Sequence, residues 1–493
     1  MSVYKSLFKQ TAIYGLATVL PRMVSFILVP LYTSPNVLKN SAEYGEISII
    51  FSWLVLFNVI LSYGMETSFF RFYSKAENPK NVISTSAISI FWSSIIFLIT
   101  ALLCRNYLAE ASKINVEYII YTIWILFLDA LVIIPFSKLR AEKRPLFYAI
   151  IKTGNVLINL ILNLFFLLWL PKLAASSPDS FISTLFFENF QIGYIFVANI
   201  IASLATFLIL SPTYFKMKWN FDKILWTKMM RYSLPIMVAG VAFAINETFD
   251  RILLQKWLNL PEDITNAQIG AYSACYKLAL FMTLFATAFR LGIEPFFFSH
   301  SSNENAPKTY ANITKYFVVF GSIILLVVVV FADVLKIFIV RDSSFWEAMK
   351  VVPLIILANF FLGIYNNLSV WYKLTDKTKI GMYISIVGAI ITLALNFLLI
   401  PIWSYMGSAI ATLSAYGSMM IISYYLGNKY YPIPYDMKKI MQYLGIAILL
   451  SGLSFYVPLF RETYIFGILA IIFFGYYIYR NEKEILLKII KRK

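Results

Sequence analysis

Apolar runs of about 20 residues recur from one end of the chain to the other, and no other feature limits its fold as strongly. Wound as a helix, a run of that length crosses the hydrocarbon core of a bilayer with its backbone groups bonded internally. Fourteen such spans can be read, the first at about 11–33 and the last at about 463–480. Only 14% of the 493 residues are charged, where a soluble domain carries nearer a quarter, and 60% are hydrophobic. The expected fold class is all-α and integral to a membrane. The longest connections, 171–189 and 212–231, hold about 20 residues, too few for a soluble domain. Activity must therefore reside among the helices.

A net charge of +17 would suit a nucleic-acid partner, but its distribution points elsewhere. Roughly 27 Lys and Arg fall in the termini and even-numbered loops, and about 8 on the opposite side. Such asymmetry orients polytopic proteins and predicts that both termini are cytoplasmic, with anionic lipid headgroups as partners. Lys5 and Lys9 precede an apolar stretch that runs on for about 22 residues, contains Arg22 and lacks a small-x-small cleavage site. It reads as a first membrane span, not a cleaved leader. Cys104 and Cys275 lie on different spans and suggest neither a disulfide framework nor a metal site. His300, in a short cytoplasmic connection, reads as a solvated surface residue.

The chain also repeats itself. A shift of 233 positions lays "SKLRAEKRPLFYAIIKTGNVLINLILNLFF" (137–166) within "SVWYKLTDKTKIGMYISIVGAIITLALNFLL" (369–399), with Asn163 on Asn396 and Arg140 on Lys373. Each copy runs on to a proline, Pro171 or Pro401, and the next span opens with Gly193 or Gly407. A weaker echo aligns Gly45 with Gly270. Two matches in order imply a duplicated six-helix unit, and because six is even both copies face the same way. The expected organisation is an N-lobe at 1–211, a cytoplasmic linker at 212–231, a C-lobe at 232–427, two further spans at 428–480 and a basic tail at 481–493. Asn163, Asn396, Pro401 and Gly407 are read as helix-packing residues; Gly407, Ala411 and Ala415 make a small-residue seam.

Charge inside the spans is the other informative feature. "AINETFDRILL" (244–254) sets Glu247, Asp250 and Arg251 within an apolar helix. A charged side chain at a span's centre costs on the order of 3 kcal/mol on insertion scales, so these three should avoid lipid. Glu247 and Arg251 share a face at i, i+4, either as part of a wet wall or as a buried pair. Arg22 in span 1, Glu66 and Arg71 in span 2, Lys152 in span 5, and Lys277 and Arg290 in span 8 occupy comparable positions, and Asp129 lies in span 4. For Lys152 and Asp129, buried helix contacts or snorkelling serve equally well. Arg71 and Arg290 suit an interfacial position as well as a cavity. The cations Arg22, Arg251, Lys277, Lys152, Arg71 and Arg290 form the candidate anion-binding set, since Arg grips phosphate through paired hydrogen bonds and Lys adds a point charge. The acids Glu66, Glu247 and Asp250 are the candidates for Na⁺ or H⁺ coupling.

The chain contains no phosphate-binding G-x-x-x-x-G-K-[ST] loop, H-E-x-x-H, D-x-D or G-x-S-x-G. No catalytic residue, bound metal or organic cofactor is expected, and any driving force must come from an ion gradient or from the substrate's own.

Five stretches carry a resemblance: "YGMETSFFRFYSKAENPKN", "LRAEKRPLFYAI", "ETFDRILL", "IGAYSACYKLA" and "LALNFLLIPIWSYMGSAIATLSAYG". In this order they are similar to the polysaccharide-transporter branch of the multidrug/oligosaccharidyl-lipid/polysaccharide exporter superfamily, the Wzx-type O-antigen flippases. That resemblance implies two six-helix lobes around a cationic cavity, plus two extra helices, in the bacterial inner membrane. It implies inversion of undecaprenyl-diphosphate-linked oligosaccharide from the cytoplasmic to the periplasmic leaflet by alternating access. Arg22, Arg251 and Lys277 would then contact the diphosphate or acidic sugars, and polysaccharide polymerase or assembly proteins would be partners. A lipid II flippase of the same superfamily is the next reading, although those proteins carry more arginine in their first two spans. A drug antiporter, and then a membrane polymerase or glycosyltransferase, follow.

Overall fold

The structure is a computed structural model describing residues 19–24, 26–299, 305–375 and 377–490; side chains at 294–296, 298, 299 and 484–490 are not described. Lys5, Lys9, His300 and the start of the first expected span lie outside the described residues. Among the described residues the regular elements are all helical.

Among the described residues, twelve helices are long and apolar enough to cross a membrane. In chain order they are α2 (Ser41–Tyr73), α3 (Pro79–Leu103), α4 (Val116–Ala141), α5 (Pro145–Ser176), α6 (Gln191–Lys216), α7 (Lys223–Trp257), α8 (Glu262–Ile293), α9 (Ala306–Val330), α10 (Ser343–Leu374), α11 (Thr378–Trp403), α12 (Tyr405–Tyr430) and α13 (Met437–Tyr456). Two more, α1 (Val19–Tyr32) and α14 (Ile465–Ile490), stand where the first and last spans are expected.

The chain divides into two compact units, Met1–Ser273 and Ala274–Lys493. The division falls inside α8, and within the first unit α7 packs against α2. Its start is held there by Asp222, whose side chain accepts from the backbone N–H of Leu225 at 2.9 Å and from Asn81 of α3 at 3.0 Å. A carboxylate capping the free N–H groups of a first turn is favourable electrostatically as well as geometrically.

Several spans are interrupted. In α2, Tyr63 and Gly64 turn to φ 32° and 69°. A Cβ on Gly64 would stand 2.5 Å from the carbonyl oxygen of Ser233, so α7 passes too close for any other residue. α5 extends past its expected end near 170 to Ser176 because Phe165–Trp169 open into a π-helical turn just before Pro171. That wider turn absorbs the missing proline N–H without breaking the helix. Within α8, Lys277–Ala279 tighten into a 3-10 turn.

The repeat-related asparagines do the same job. Asn163 donates to the carbonyl of Asn159 at 2.8 Å and accepts from Tyr32 of α1 at 2.8 Å. Asn396 donates to Thr392 at 2.7 Å and accepts from Ser408 of α12 at 2.7 Å. Both are fully buried, and each ties two helices where water cannot reach. Pro401 lies inside α11, and a Cβ on Gly407 would meet the carbonyl of Leu399 at 2.6 Å, so α11 and α12 pack backbone to backbone.

In the second unit α13 and α14 stand outside the repeat but are bonded to it. Glu482 of α14 accepts from Lys315 of α9 at 2.8 Å and from Tyr443 of α13 at 3.0 Å.

Candidate functional site: charged side chains within the spans

The charged stretch of α7 resolves into two environments. Asp250 and Arg251 are buried, whereas Glu247 is exposed. Arg251 Nη1 lies 2.8 Å from Asp250 Oδ1, which also accepts the Arg251 backbone N–H at 2.9 Å. Tyr272 of α8 donates to Asp250 Oδ2 at 2.5 Å, and its ring centroid lies 5.5 Å from the guanidinium carbon. Arg251 ion-pairs with the adjacent Asp250, and its Nη1 also donates to the backbone carbonyl of Glu247 at 3.4 Å. The sequence suggests Glu247 as the ion-pair partner because i, i+4 residues share a helix face. Here the side chain of Asp250 folds back along its own helix.

This arrangement is closed. Both carboxylate oxygens of Asp250 are hydrogen-bonded, and the guanidinium spends charge on it in a setting without water. Losing one member strands the other's charge, a cost of about 3–5 kcal/mol. The Asp250–Arg251–Tyr272 group therefore clamps α7 to the first part of α8.

The remaining cations are more open. Arg22 on α1 and Arg71 near the end of α2 are exposed, and the Arg71 guanidinium lies 4.2 Å from the centroid of the Tyr232 ring of α7. Glu66, one turn earlier on α2, ion-pairs with Arg140 of α4 at 2.5 Å, with both side chains about half exposed. Lys277, in the 3-10 turn of α8, and Arg290 further along it are half-buried in the second unit.

Lys152 of α5 is set apart from these. With Asp129 of α4 it lines a cavity of about 290 Å³ in the first unit, whose other polar walls are Asn58 of α2, Asn155 of α5 and Thr206 of α6. Asp129 accepts from Ser203 Oγ of α6 at 2.8 Å, and Asn155 donates to Thr206 Oγ1 at 2.9 Å. Lys152 Nζ sits 4.4 Å from the centroid of the Phe136 ring. Asn58, Asn155, Ser203 and Thr206 do not figure among the sequence candidates. The signal was available in part: Lys152 and Asn155 stand three apart, so they share a helix face. No cluster of His, Cys, Asp and Glu suited to a metal occurs among the described residues.

Comparison with known proteins agrees with this architecture. The chain resembles the structure of the lipid II flippase MurJ in its inward closed conformation, at TM-score 0.72 and 15% identity over 95% of this chain and 99% of that one. It resembles an inward-facing multidrug resistance MATE family transporter of the MOP superfamily at TM-score 0.61 and 14% identity, over 85% and 94% of the two chains. A MOP superfamily transporter from Pyrococcus furiosus, described as having a binding pocket of reverse polarity, follows at 0.57 and 14%, over 86% and 95%. At such identities the likeness is one of fold. No curated protein sequence matches. Residues 264–398 match the MatE family model, and residues 7–287, more than half of the chain, match the polysaccharide biosynthesis protein model. The chain is thus a multi-pass protein of the bacterial inner membrane that belongs to the polysaccharide biosynthesis protein family of the MOP superfamily.

Proposed function

We propose that this protein flips undecaprenyl-diphosphate-linked oligosaccharide from the cytoplasmic to the periplasmic leaflet by alternating access, supplying polysaccharide assembly. One observation carries the reading. Arg71, Glu247, Lys277 and Arg290 are exposed or half-buried on helices otherwise apolar enough to span a membrane, and Arg22 is exposed on the shorter apolar helix α1. Deep in a span and facing lipid, a charged side chain costs kilocalories; in a water-filled passage, such cations offer sites for a diphosphate and the passage a route for sugars. The isoprenoid tail stays in the bilayer, so only the polar headgroup needs that route. Asp250–Arg251 serves this function indirectly, by holding the helices that frame the passage. No covalent bond changes.

Lipid II is the second reading, favoured by the TM-score of 0.72 to the lipid II flippase. Both cargoes carry a diphosphate, so the cation set suits either.

The test is reconstitution in liposomes with fluorescent undecaprenyl-diphosphate oligosaccharide or lipid II, scoring access of an external sugar-modifying enzyme. Protein-dependent inversion of the oligosaccharide, reduced about tenfold or more by Arg22→Ala or Lys277→Ala at normal protein level, supports the proposal. Inversion of lipid II alone selects the second reading. Lengthening of the glycan when donor is supplied, without inversion, overturns both in favour of an enzyme.

A further inference from the structure

The first unit holds a second cavity, of about 170 Å³, that shares no wall residue with the one lined by Asp129 and Lys152. It lies among α2, α3, α4 and the short helix Arg105–Ser112 that joins the last two. Its walls include Trp53 and Phe57 of α2, Phe97 of α3 and Leu126 of α4, with Lys256 from the last turn of α7. The Ser112 and Thr122 hydroxyls, also in the wall, are used within their own helices, donating to the carbonyls of Leu108 at 2.6 Å and Tyr118 at 2.7 Å. A cavity without free polar partners stays dry, and one of comparable size, about 150 Å³, admits an apolar guest.

Two features break the hydrocarbon. Lys256 is the one charged wall residue; it is exposed and has no ion-pair partner among the described residues. The Trp53 indole N–H is buried and makes no hydrogen bond, a state that few native donors tolerate. The depth of the cavity is as informative. α3 ends at Leu103, α4 begins at Val116 and α7 ends at Trp257, so Lys256 stands at one end of the spans. From the start of α4 the wall reaches down to Leu126, about 15 Å at the rise of a helix. The hydrocarbon of a bilayer is about 30 Å thick, so the cavity has the depth of one leaflet.

We propose that this cavity binds an anionic phospholipid of the leaflet at that end: one acyl chain fills it, the phosphate meets Lys256, and an ester carbonyl accepts from Trp53. The asymmetry of basic residues assigns that end to the periplasmic side. The inference needs only the membrane setting and does not rest on the cargo. Each part of the lipid answers one part of the site. The apolar walls suit a chain, and the unpaired cation at their mouth suits an anion at the chain's head. The indole separates two kinds of chain. A glycerophospholipid carries ester carbonyls between phosphate and hydrocarbon, whereas an isoprenyl phosphate joins the two directly and has no acceptor there. Bound in this way, the lipid links the end of α7 to α2, α3 and α4, and binding this arrangement better than others stabilises it.

The experiment titrates the full protein in detergent micelles with phosphatidylglycerol brominated on one acyl chain and follows tryptophan fluorescence. Bromine quenches an indole only at close range, so the difference between wild type and Trp53→Phe isolates the signal of the cavity. Wild type is expected to show a saturable quench that Trp53→Phe lacks. Lys256→Gln should weaken binding about fivefold, the worth of one cation near a lipid phosphate, and brominated phosphatidylcholine should bind wild type less tightly by a similar factor. Lys172→Gln, an exposed cation outside the wall, should bind as wild type does. Ala111→Phe, which enlarges an exposed wall residue and opens no void, should abolish the quench at an unchanged melting temperature. A quench that survives Trp53→Phe in full places the lipid elsewhere and overturns the proposal. So do equal affinities for the two headgroups, or wild-type affinity in Lys256→Gln. Undecaprenyl phosphate that displaces the brominated lipid more readily than phosphatidylglycerol does also overturns it, and gives the cavity to an isoprenoid chain.

Discussion

Gly45 of α2 and Gly270 of α8 meet backbone to backbone. A Cβ on Gly45 would stand 1.9 Å from the carbonyl oxygen of Asn266, and one on Gly270 1.9 Å from that of Ser41. These two glycines align in the weaker echo of the internal repeat, so residues equivalent by sequence touch each other in space. Because neither obstructing atom belongs to a movable side chain, Gly45→Ala and Gly270→Ala should each destabilise the protein by about 1–3 kcal/mol. Thermal unfolding in detergent measures this. Gly154→Ala is the control, since nothing lies within 4 Å of its added Cβ. Equal melting temperatures for all three variants would contradict the close crossing.

The Asp250–Arg251–Tyr272 clamp predicts a graded loss. Removing the tyrosine hydroxyl with Tyr272→Phe should cost about 1.5–3 kcal/mol, the range for a hydrogen bond to a charged group. Arg251→Ala, which strands a buried carboxylate, should cost about 3–5 kcal/mol and lower the protein level in the membrane. A stable Arg251→Ala protein that has lost only transport would instead make Arg251 a substrate contact.

Outside the spans, Asp333 provides a pH-dependent pin. It accepts from Arg461 at 2.5 and 2.8 Å and from Lys336 at 2.6 Å, joining the segment after α9 to the turn between α13 and α14. Burial would raise its pKa, but Arg461 and Lys336 outweigh it and hold the carboxyl below its ordinary value. A depressed pKa gives stability that is complete above the unfolded value, about 4, and is lost as pH falls through the lower folded one. The stability gap between wild type and Asp333→Asn should therefore stay constant near neutral pH and shrink on acidification below about pH 4. Parallel melting curves across that range would refute the assignment.

Orientation can be read with reporter fusions. The asymmetry of basic residues predicts a cytoplasmic signal from a fusion at Asn220, in the connection before α7, and a periplasmic one at Ser177, just after α5. The opposite pattern would invert every assignment of sides.

The sequence by itself determined the helical membrane class, the approximate positions of the spans and the repeat, because each depends on local hydropathy or on residue order. Asn163 and Asn396 could be paired by register alone, and they make matching bonds. Three-dimensional packing decided what register cannot carry. Asp250, the adjacent residue, ion-pairs with Arg251, because that contact depends on side-chain direction and on Tyr272 arriving from another helix. Asp129 looks in sequence like a lone acid on an apolar helix; its cavity exists only because Asn58, Lys152 and Thr206 reach it from three other spans. Hydropathy is a property of a segment, whereas a cavity belongs to the helices around it, and only their packing shows whether a buried charge is closed off or left beside water.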